Sequence, residues 1–238
     1  MYENWLKILQ ANKTPAAIVL RFGPVRARSV AKSLVFCTSC TSVDLSHAAL
    51  TDLSGCFLSR CLKHNTALKH VNLASNALGV RTAAELGEAL RKNTTLTSLF
   101  LDSNPLTLSE GSGAADLSGL RNLCDGLESN GTLRNLNLFR TNLGDAGVKV
   151  LVDSLRVNRT LIHCDIGASG ATEETNRRVF ALLDRNLSQF GEEKEHAAEE
   201  KENDAASQRA AEEVAAKEQW QRDRHQFMEV RARALGRL

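Results

Sequence analysis

Apolar positions recur along this chain with a period too long for a single helix or strand. Leu68, Leu96, Leu133 and Leu161 are spaced by 28, 37 and 28 residues, and Cys40 stands 28 residues before Leu68. Pro15 lies 25 residues before Cys40. Such spacing predicts a stack of repeats, because a unit this small cannot bury its apolar face alone and needs neighbours to cover it. After each anchor, apolar residues return at offsets of three, five and ten: Val71, Leu73 and Leu78, then Leu99, Leu101 and Leu106, then Leu136, Leu138 and Leu143. Earlier copies read Val43, Leu45, Leu50 and Ile18, Leu20, Val25, and the last reads Cys164, Ile166, Ala171.

The offsets of three and five place two apolar residues on one face of a short strand. Before each anchor, a pair four residues apart marks a helix face: Trp5 and Leu9, Val30 and Leu34, Leu58 and Leu62, Leu86 and Leu90, Leu123 and Leu127, Leu151 and Leu155. Each repeat therefore runs strand, loop, helix. Val179 and Leu183 continue the helix phase once more, so the pattern predicts an α/β solenoid of about six parallel strands and seven helices over residues 1–190. The 37-residue spacing carries nine extra residues within PLTLSEGSGAADLSG, Pro105 to Gly119, whose glycine and serine content predicts a mobile loop.

The stretches LKHVNLASNALGVRTAAELGEALRKN and LRNLNLFRTNLGDAGVKVLVDSLRVN resemble leucine-rich repeats of the ribonuclease-inhibitor type. The resemblance implies a horseshoe with parallel strands on the concave side and helices outside. One departure concerns the loop asparagine of that family. Asn76 and Asn104 occupy it, whereas Gly23, Ala48, Thr141 and Ser169 replace it in the other copies, so the asparagine ladder is expected to be incomplete.

Several Asn-x-Thr sequences have the form of glycosylation acceptors. Asn12, Asn65, Asn93, Asn130 and Asn158 instead share one repeat phase, where a helix turns into the next strand. A structural role in a left-handed turn is expected there. The opening MYENWLKILQ lacks the basic and apolar regions of a secretory signal, which leads to a cytoplasmic expectation. No apolar run approaches the ~18 residues of a membrane span. The six cysteines include a Cys37-x-x-Cys40 pair, yet Cys40, Cys61 and Cys164 fall in core phase, so reduced structural thiols are expected and no metal. No phosphate loop, nucleophile elbow or metal-ligand histidine pair is found, so no catalytic residue and no cofactor are assigned, and a small-molecule substrate is not expected. The net charge of +2 is not a nucleic-acid footprint.

The architecture does offer a surface, because strand residues that alternate with the core point into the concavity. Asp44, His70, Asn72, Phe100, Asp102, Asn137, Phe139 and Asp165 are the candidates for partner binding. Phe100 and Phe139 stand out as aromatics among small and polar neighbours, either as a hot spot or as rings that cover each other or pack under the insertion. Residues 191–238 predict a long charged helix, acidic over Glu192–Glu218 and basic over Gln219–Leu238. Its late apolar residues Trp220, Phe227 and Val230 are candidate contacts for a coiled coil, for a partner or for the solenoid itself.

The resemblance implies a non-enzymatic scaffold that binds other proteins of a large assembly. Small leucine-rich proteins with helical extensions are similar to subunits of ciliary axonemes, such as radial spokes or the dynein regulatory complex. The Ran GTPase-activating protein shares the repeat type and supplies an alternative, in which Arg81 lies in a loop as a candidate arginine. Tropomodulin, which binds actin, supplies another.

Overall fold

The computed structural model describes residues 7, 9, 11–21, 23–109, 113–195, 198, 200–202 and 208. The chain divides into two compact units, Met1–Ser188 and Gln189–Leu238. In the first unit six strands form one parallel sheet in sequence order: β1 (Ala17–Val19), β2 (Ser42–Asp44), β3 (His70–Asn72), β4 (Ser98–Phe100), β5 (Asn135–Asn137) and β6 (His163–Asp165). Helices alternate with them as α1 (Pro24–Val35), α2 (Asp52–Leu62), α3 (Val80–Leu90), α4 (Ser118–Ser129) and α5 (Gly144–Val157). Residues 173–188 form α6. Of the expected first helix, Lys7 and Leu9 are helical and Leu9 is buried, while Trp5 lies outside the described residues. The fold is an α/β leucine-rich repeat solenoid.

The register follows the sequence period. Val43 pairs with Val71, Val71 with Leu99, Leu99 with Leu136 and Leu136 with Cys164, and all five side chains are buried. The residues at offset five, Leu45, Leu73, Leu101, Leu138 and Ile166, are buried beside them, and the paired helix positions close the core from the other side. Each fully buried leucine contributes roughly 1.5–3 kcal/mol, and stacking is what makes the burial complete. Val25 departs from the expected core role. It is exposed because the first repeat is short and α1 already begins at Pro24, where proline presets the helical φ.

The repeat turns carry a cost that the sequence does not reveal. Two residues past the second core position, His47, Ser75, Ser103, Arg140 and Ala168 all have φ between 51° and 56°. A left-handed L-residue costs roughly 1–2 kcal/mol. The first four of these turns are held by a backbone hydrogen bond to the next repeat: His47 N–H to Ala74 O, Ser75 to Asp102, Ser103 to Phe139 and Arg140 to Gly167, at 2.8–3.1 Å.

The asparagines that precede the strands correct the left-handed expectation. Among Asn12, Asn65, Asn93, Asn130 and Asn158, positive φ occurs at Asn12 alone, and Asn130 and Asn158 are extended at φ −84° and −63°. Their side chains form a ladder instead. Asn130 Nδ2 donates to Leu90 O and Asn93 O, and its Oδ1 accepts from Thr132 N and Leu133 N. Asn65, Asn93 and Asn158 repeat this pattern against the preceding repeat. Each amide thus satisfies carbonyls left open where a helix ends and N–H groups left open where a strand begins. The second ladder, on the other side of the strands, is partial as expected. Asn76 bonds Ala48 N, Leu50 N and Leu45 O, Asn104 bonds Leu78 N and Leu73 O, and Thr141 makes a single bond to Leu138 O.

Two further devices set the helix spacing. A Cβ on Gly87 would stand 2.0 Å from the Asn122 carbonyl oxygen and one on Gly119 would stand 2.1 Å from that of Val80, so α3 and α4 meet backbone to backbone. Asp52, on α2, accepts from Gly79 N, Arg81 N and Thr82 N and so caps the following helix α3, while Asp145 serves Thr172 N at the start of α6 in the same way. The described residues of the insertion, 105–109 and 113–119, carry more structure than the composition predicts. Leu108 bridges Ala115 antiparallel, Thr107 is buried with its hydroxyl on Asn142 O, and Asp116 N–H bonds Thr107 O. In the second unit residues 189–195 are helical, with the Lys194 ammonium 4.7 Å from the Phe190 ring centroid. Trp220, Phe227 and Val230 lie outside the described residues.

Candidate protein-interaction surface

The candidate residues of the strands fall in three rows on the concave face. His70 and His163 occupy the first, with Ser98 and Asn135 between them in register, and both histidines are exposed. The second row is Asp44, Asn72, Phe100, Asn137 and Asp165. Ala74, Asp102, Phe139 and Gly167 follow two residues later.

The second row has a local structural task. Asp44 Oδ1 accepts from Ser46 N, Asn72 from Ala74 N, Asn137 from Phe139 N and Asp165 from Gly167 N, all at 2.8–3.0 Å. Each side chain closes an Asx turn that steers the chain out of its strand. Asp44 also pairs with Arg21 at 3.3 Å. Burial alone would raise the Asp44 pKa, but the N–H and hydroxyl of Ser46 and the Arg21 guanidinium outweigh it and hold the carboxyl below its ordinary value. These polar groups are therefore partly spent. The signal was readable as Asp or Asn at the fourth residue after the anchor in four of the six copies, with Val19 and Phe100 as the exceptions.

Phe100 gives up that turn bond and keeps 37% of its surface exposed, in a strand flanked by polar residues at the same level. Phe139 is 36% exposed, and one edge of its ring lies over Gly167, where a Cβ would come within 2.7 Å of Cδ2. Glycine at 167 thus makes room for the ring. Asp102, half-buried, stands in the same row as Phe139 one strand earlier. These residues form a strip of polar side chains around two partly exposed rings.

All six cysteines are buried free thiols. Burial pushes Cys61 and Cys124 up to about 12 and Cys40 up to about 11. At Cys37 burial also acts upward, but hydrogen bonds from Thr14, Ser39 and neighbouring backbone N–H groups prevail and lower the thiol below its ordinary value. No cluster of three or more His, Cys, Asp or Glu with metal-holding geometry occurs among the described residues, and no described helix is long and apolar enough to cross a membrane. Arg81 lies in the first turn of α3 rather than in a loop, with its N–H on Asp52 Oδ2.

Comparison with known proteins agrees with the geometry. Residues 129–152 match a family model described as Leucine Rich repeat. Among solved structures, the chain is similar to leiomodin-1 actin-binding site 2, with a TM-score of 0.57 and 15% identity over 84% of this chain and 97% of that one. It is also similar to the tropomodulin C-terminal domain of Caenorhabditis elegans, with a TM-score of 0.51 and 16% identity over 81% of this chain and 96% of that one. No curated protein sequence matches. At such identities the likeness is one of fold, and the chain carries a leucine-rich repeat domain shaped like those of leiomodin and tropomodulin.

Proposed function

We propose that this chain is a non-enzymatic protein-binding module that seats a partner protein on the concave strand face, centred on Phe100 and Phe139. The observation that carries the reading is Phe100. At its register position the neighbouring strands place a turn-closing Asn, whereas β4 places a large ring that remains over a third exposed. An exposed aromatic flanked by polar groups is the usual composition of an interface anchor. Asp102, His70 and His163 supply the polar rim. A photo-crosslinking residue at position 100 or 139, used in native extract and read by mass spectrometry, identifies the partner and shows whether it belongs to a ciliary assembly or another. Phe100→Ala and Phe139→Ala should each weaken that partner's binding by about tenfold or more, in the range of an anchor residue. Unchanged binding in both variants removes the concave face from the reading.

The first partner to test is actin. The likeness to a leiomodin domain named as an actin-binding site supports that choice. Cosedimentation with actin filaments and binding to monomeric actin are the assays, with loss of the signal in Phe100→Ala as the expected result. An absence of binding to either form turns the search to the crosslinked partner.

A further inference from the structure

The sheet ends at β6, and its outer edge differs from every inner strand boundary. From β2 to β6 each boundary is closed by the same backbone groups. Arg134 O accepts from Ile162 N and His163 N, Leu138 N–H donates to Asp165 O, and Arg140 N–H donates to Gly167 O. One period later the equivalent groups are Ile162 O, Ile166 N and Ala168 N, and these have no partner among the described residues.

Two positions of α6 also break the period. The position of Phe180 is held by Ala31, Ser59, Gly87, Cys124 and Val152 in the earlier copies, all buried. Phe180 is 59% exposed. The position of Asn176 is held by Ala27, Gly55, Ala83, Leu120 and Val148, again all buried and apolar. Asn176 puts an amide there, and its Oδ1 is the one buried side-chain oxygen or nitrogen without a hydrogen bond among the described residues. A buried acceptor without a donor costs ~1–3 kcal/mol and calls for a partner.

Phe180 separates two hollows along the edge. One, of about 510 Å³, is lined by Ile162, Cys164, Leu183 and Leu187; the other, of about 540 Å³, is lined by Cys164, Ile166, Ala171 and Asn176. They lie beside the first and second core positions of β6 in turn. A strand continuing the array would direct its two inward residues to these places, since side chains alternate along it.

We propose that the outer edge of β6 is a docking site for an extended peptide segment of another protein. The segment carries apolar residues at alternate positions and adds as a parallel seventh strand. Its N–H groups bond Ile162 O, its carbonyls accept from Ile166 and Ala168, and its two inward side chains fill the hollows on either side of Phe180. On docking, the Asn176 side chain, which lines the second hollow, turns to offer its covered Oδ1 to a further N–H of the segment. Main-chain bonds supply affinity and the two hollows supply selectivity, as in strand addition to other sheet edges. This surface is distinct from the concave strip around Phe100.

The test uses the full chain and a labelled peptide with the sequence of residues 132–143, TLRNLNLFRTNL, which is what a following repeat would present. Fluorescence anisotropy should show saturable binding. N-methylation of the peptide amides equivalent to Arg134 and Asn135, which would face Ile162 O, should weaken binding by about tenfold, as expected for two lost hydrogen bonds. Phe180→Arg, at an exposed site, should do likewise without lowering the Tm. Asn176→Val, which restores the residue class of the other repeats, should weaken binding several-fold, and Phe100→Ala should leave it unchanged. Hydrogen exchange should show the Ile166 and Ala168 amides open in the chain alone and protected with the peptide. Absence of saturable binding overturns the proposal, as does binding indifferent to both N-methylation and Phe180→Arg. Amides already protected in the monomeric chain alone overturn it in favour of a covering segment of this chain. A concentration-dependent dimer abolished by Phe180→Arg overturns it in favour of a second copy.

Discussion

Replacing Asn130 by Ala removes four hydrogen bonds from one buried point in the array. Nδ2 reaches Leu90 O at 2.8 Å and Asn93 O at 3.0 Å, and Oδ1 receives Thr132 N at 3.0 Å and Leu133 N at 2.7 Å. Asn130 is 4% exposed, so the four backbone groups it serves have little access to bulk water. A buried backbone group left unpaired costs ~1–3 kcal/mol. The truncation opens space for a water that replaces some of these bonds. With half of the groups re-paired the net loss is about 3 kcal/mol, which for a domain of this size lowers Tm by roughly 6–12 °C. The assay is thermal and urea unfolding of Asn130→Ala beside Asn137→Ala, whose half-exposed side chain closes a single turn bond and whose loss should cost about 1 kcal/mol. If Asn130→Ala loses no more than Asn137→Ala, the ladder before the strands is not a main support of the fold. Intact mass should show no sugar on native Asn130, because a glycosylated amide cannot donate into two buried carbonyls.

Other expected outcomes concern packing, thiols and acid. Gly87→Ala should destabilise by at least the 1–3 kcal/mol of an overpacked core, since its Cβ meets the backbone of Asn122, whereas Gly131→Ala, with nothing within 4 Å, should be close to neutral in the same urea titration. Cys61, Cys124 and Cys164 should resist iodoacetamide in the native protein at neutral pH and react only after unfolding, because they are buried and their thiols are pushed upward; rapid native labelling followed by mass spectrometry would refute this. Lys149, the Thr172 N–H and the hydroxyls of Thr175 and Thr172 hold the Asp145 carboxyl well below the ordinary carboxylate range. A depressed pKa contributes stability that is complete above the unfolded value near 4 and is lost as pH falls through the folded one. The Tm of the native chain should therefore fall more steeply with acid below about pH 5 than that of Asp145→Asn, and parallel curves would count against the role.

The repeat was legible because every copy solves the same packing problem. Leu73, Leu101 and Leu138 sit in one environment and so recur in one residue class, and the sheet order follows from the period alone. The seventh helix phase at Val179 and Leu183 is likewise buried. Features that occur once were harder to read. The Leu108 to Ala115 bridge has no period to announce it, and its glycine and serine flanks suit a loose loop equally well. Residue type also fails where one side chain has two uses. Asn12 takes the left-handed backbone, while Asn130 is extended and bonds four backbone groups, and both precede a Thr two residues on. Conversely, five left-handed turns fall on His, Ser, Ser, Arg and Ala, because bonds to the next repeat rather than the local residue support most of them.

The same logic separates structural from functional residues within the array. A side chain that follows the period is accounted for by packing against its neighbours, so its presence says little about partners. Asp44, Asn72, Asn137 and Asp165 are of this kind, since each closes the turn after its own strand and leaves only part of its surface for recognition. Phe100 drops the turn bond, Phe180 exposes a ring where smaller residues are covered, and Asn176 places an unpaired oxygen among apolar equivalents. None of the three improves the isolated fold. A partly exposed ring forgoes a share of the roughly 1.5–3 kcal/mol of full burial, and an orphaned acceptor costs ~1–3 kcal/mol. Two of the three lie on α6, beside the β6 edge that a following repeat would cover, and the third lies in the middle of the strand face. These three departures from the period are therefore the positions on which the two proposed docking surfaces rest.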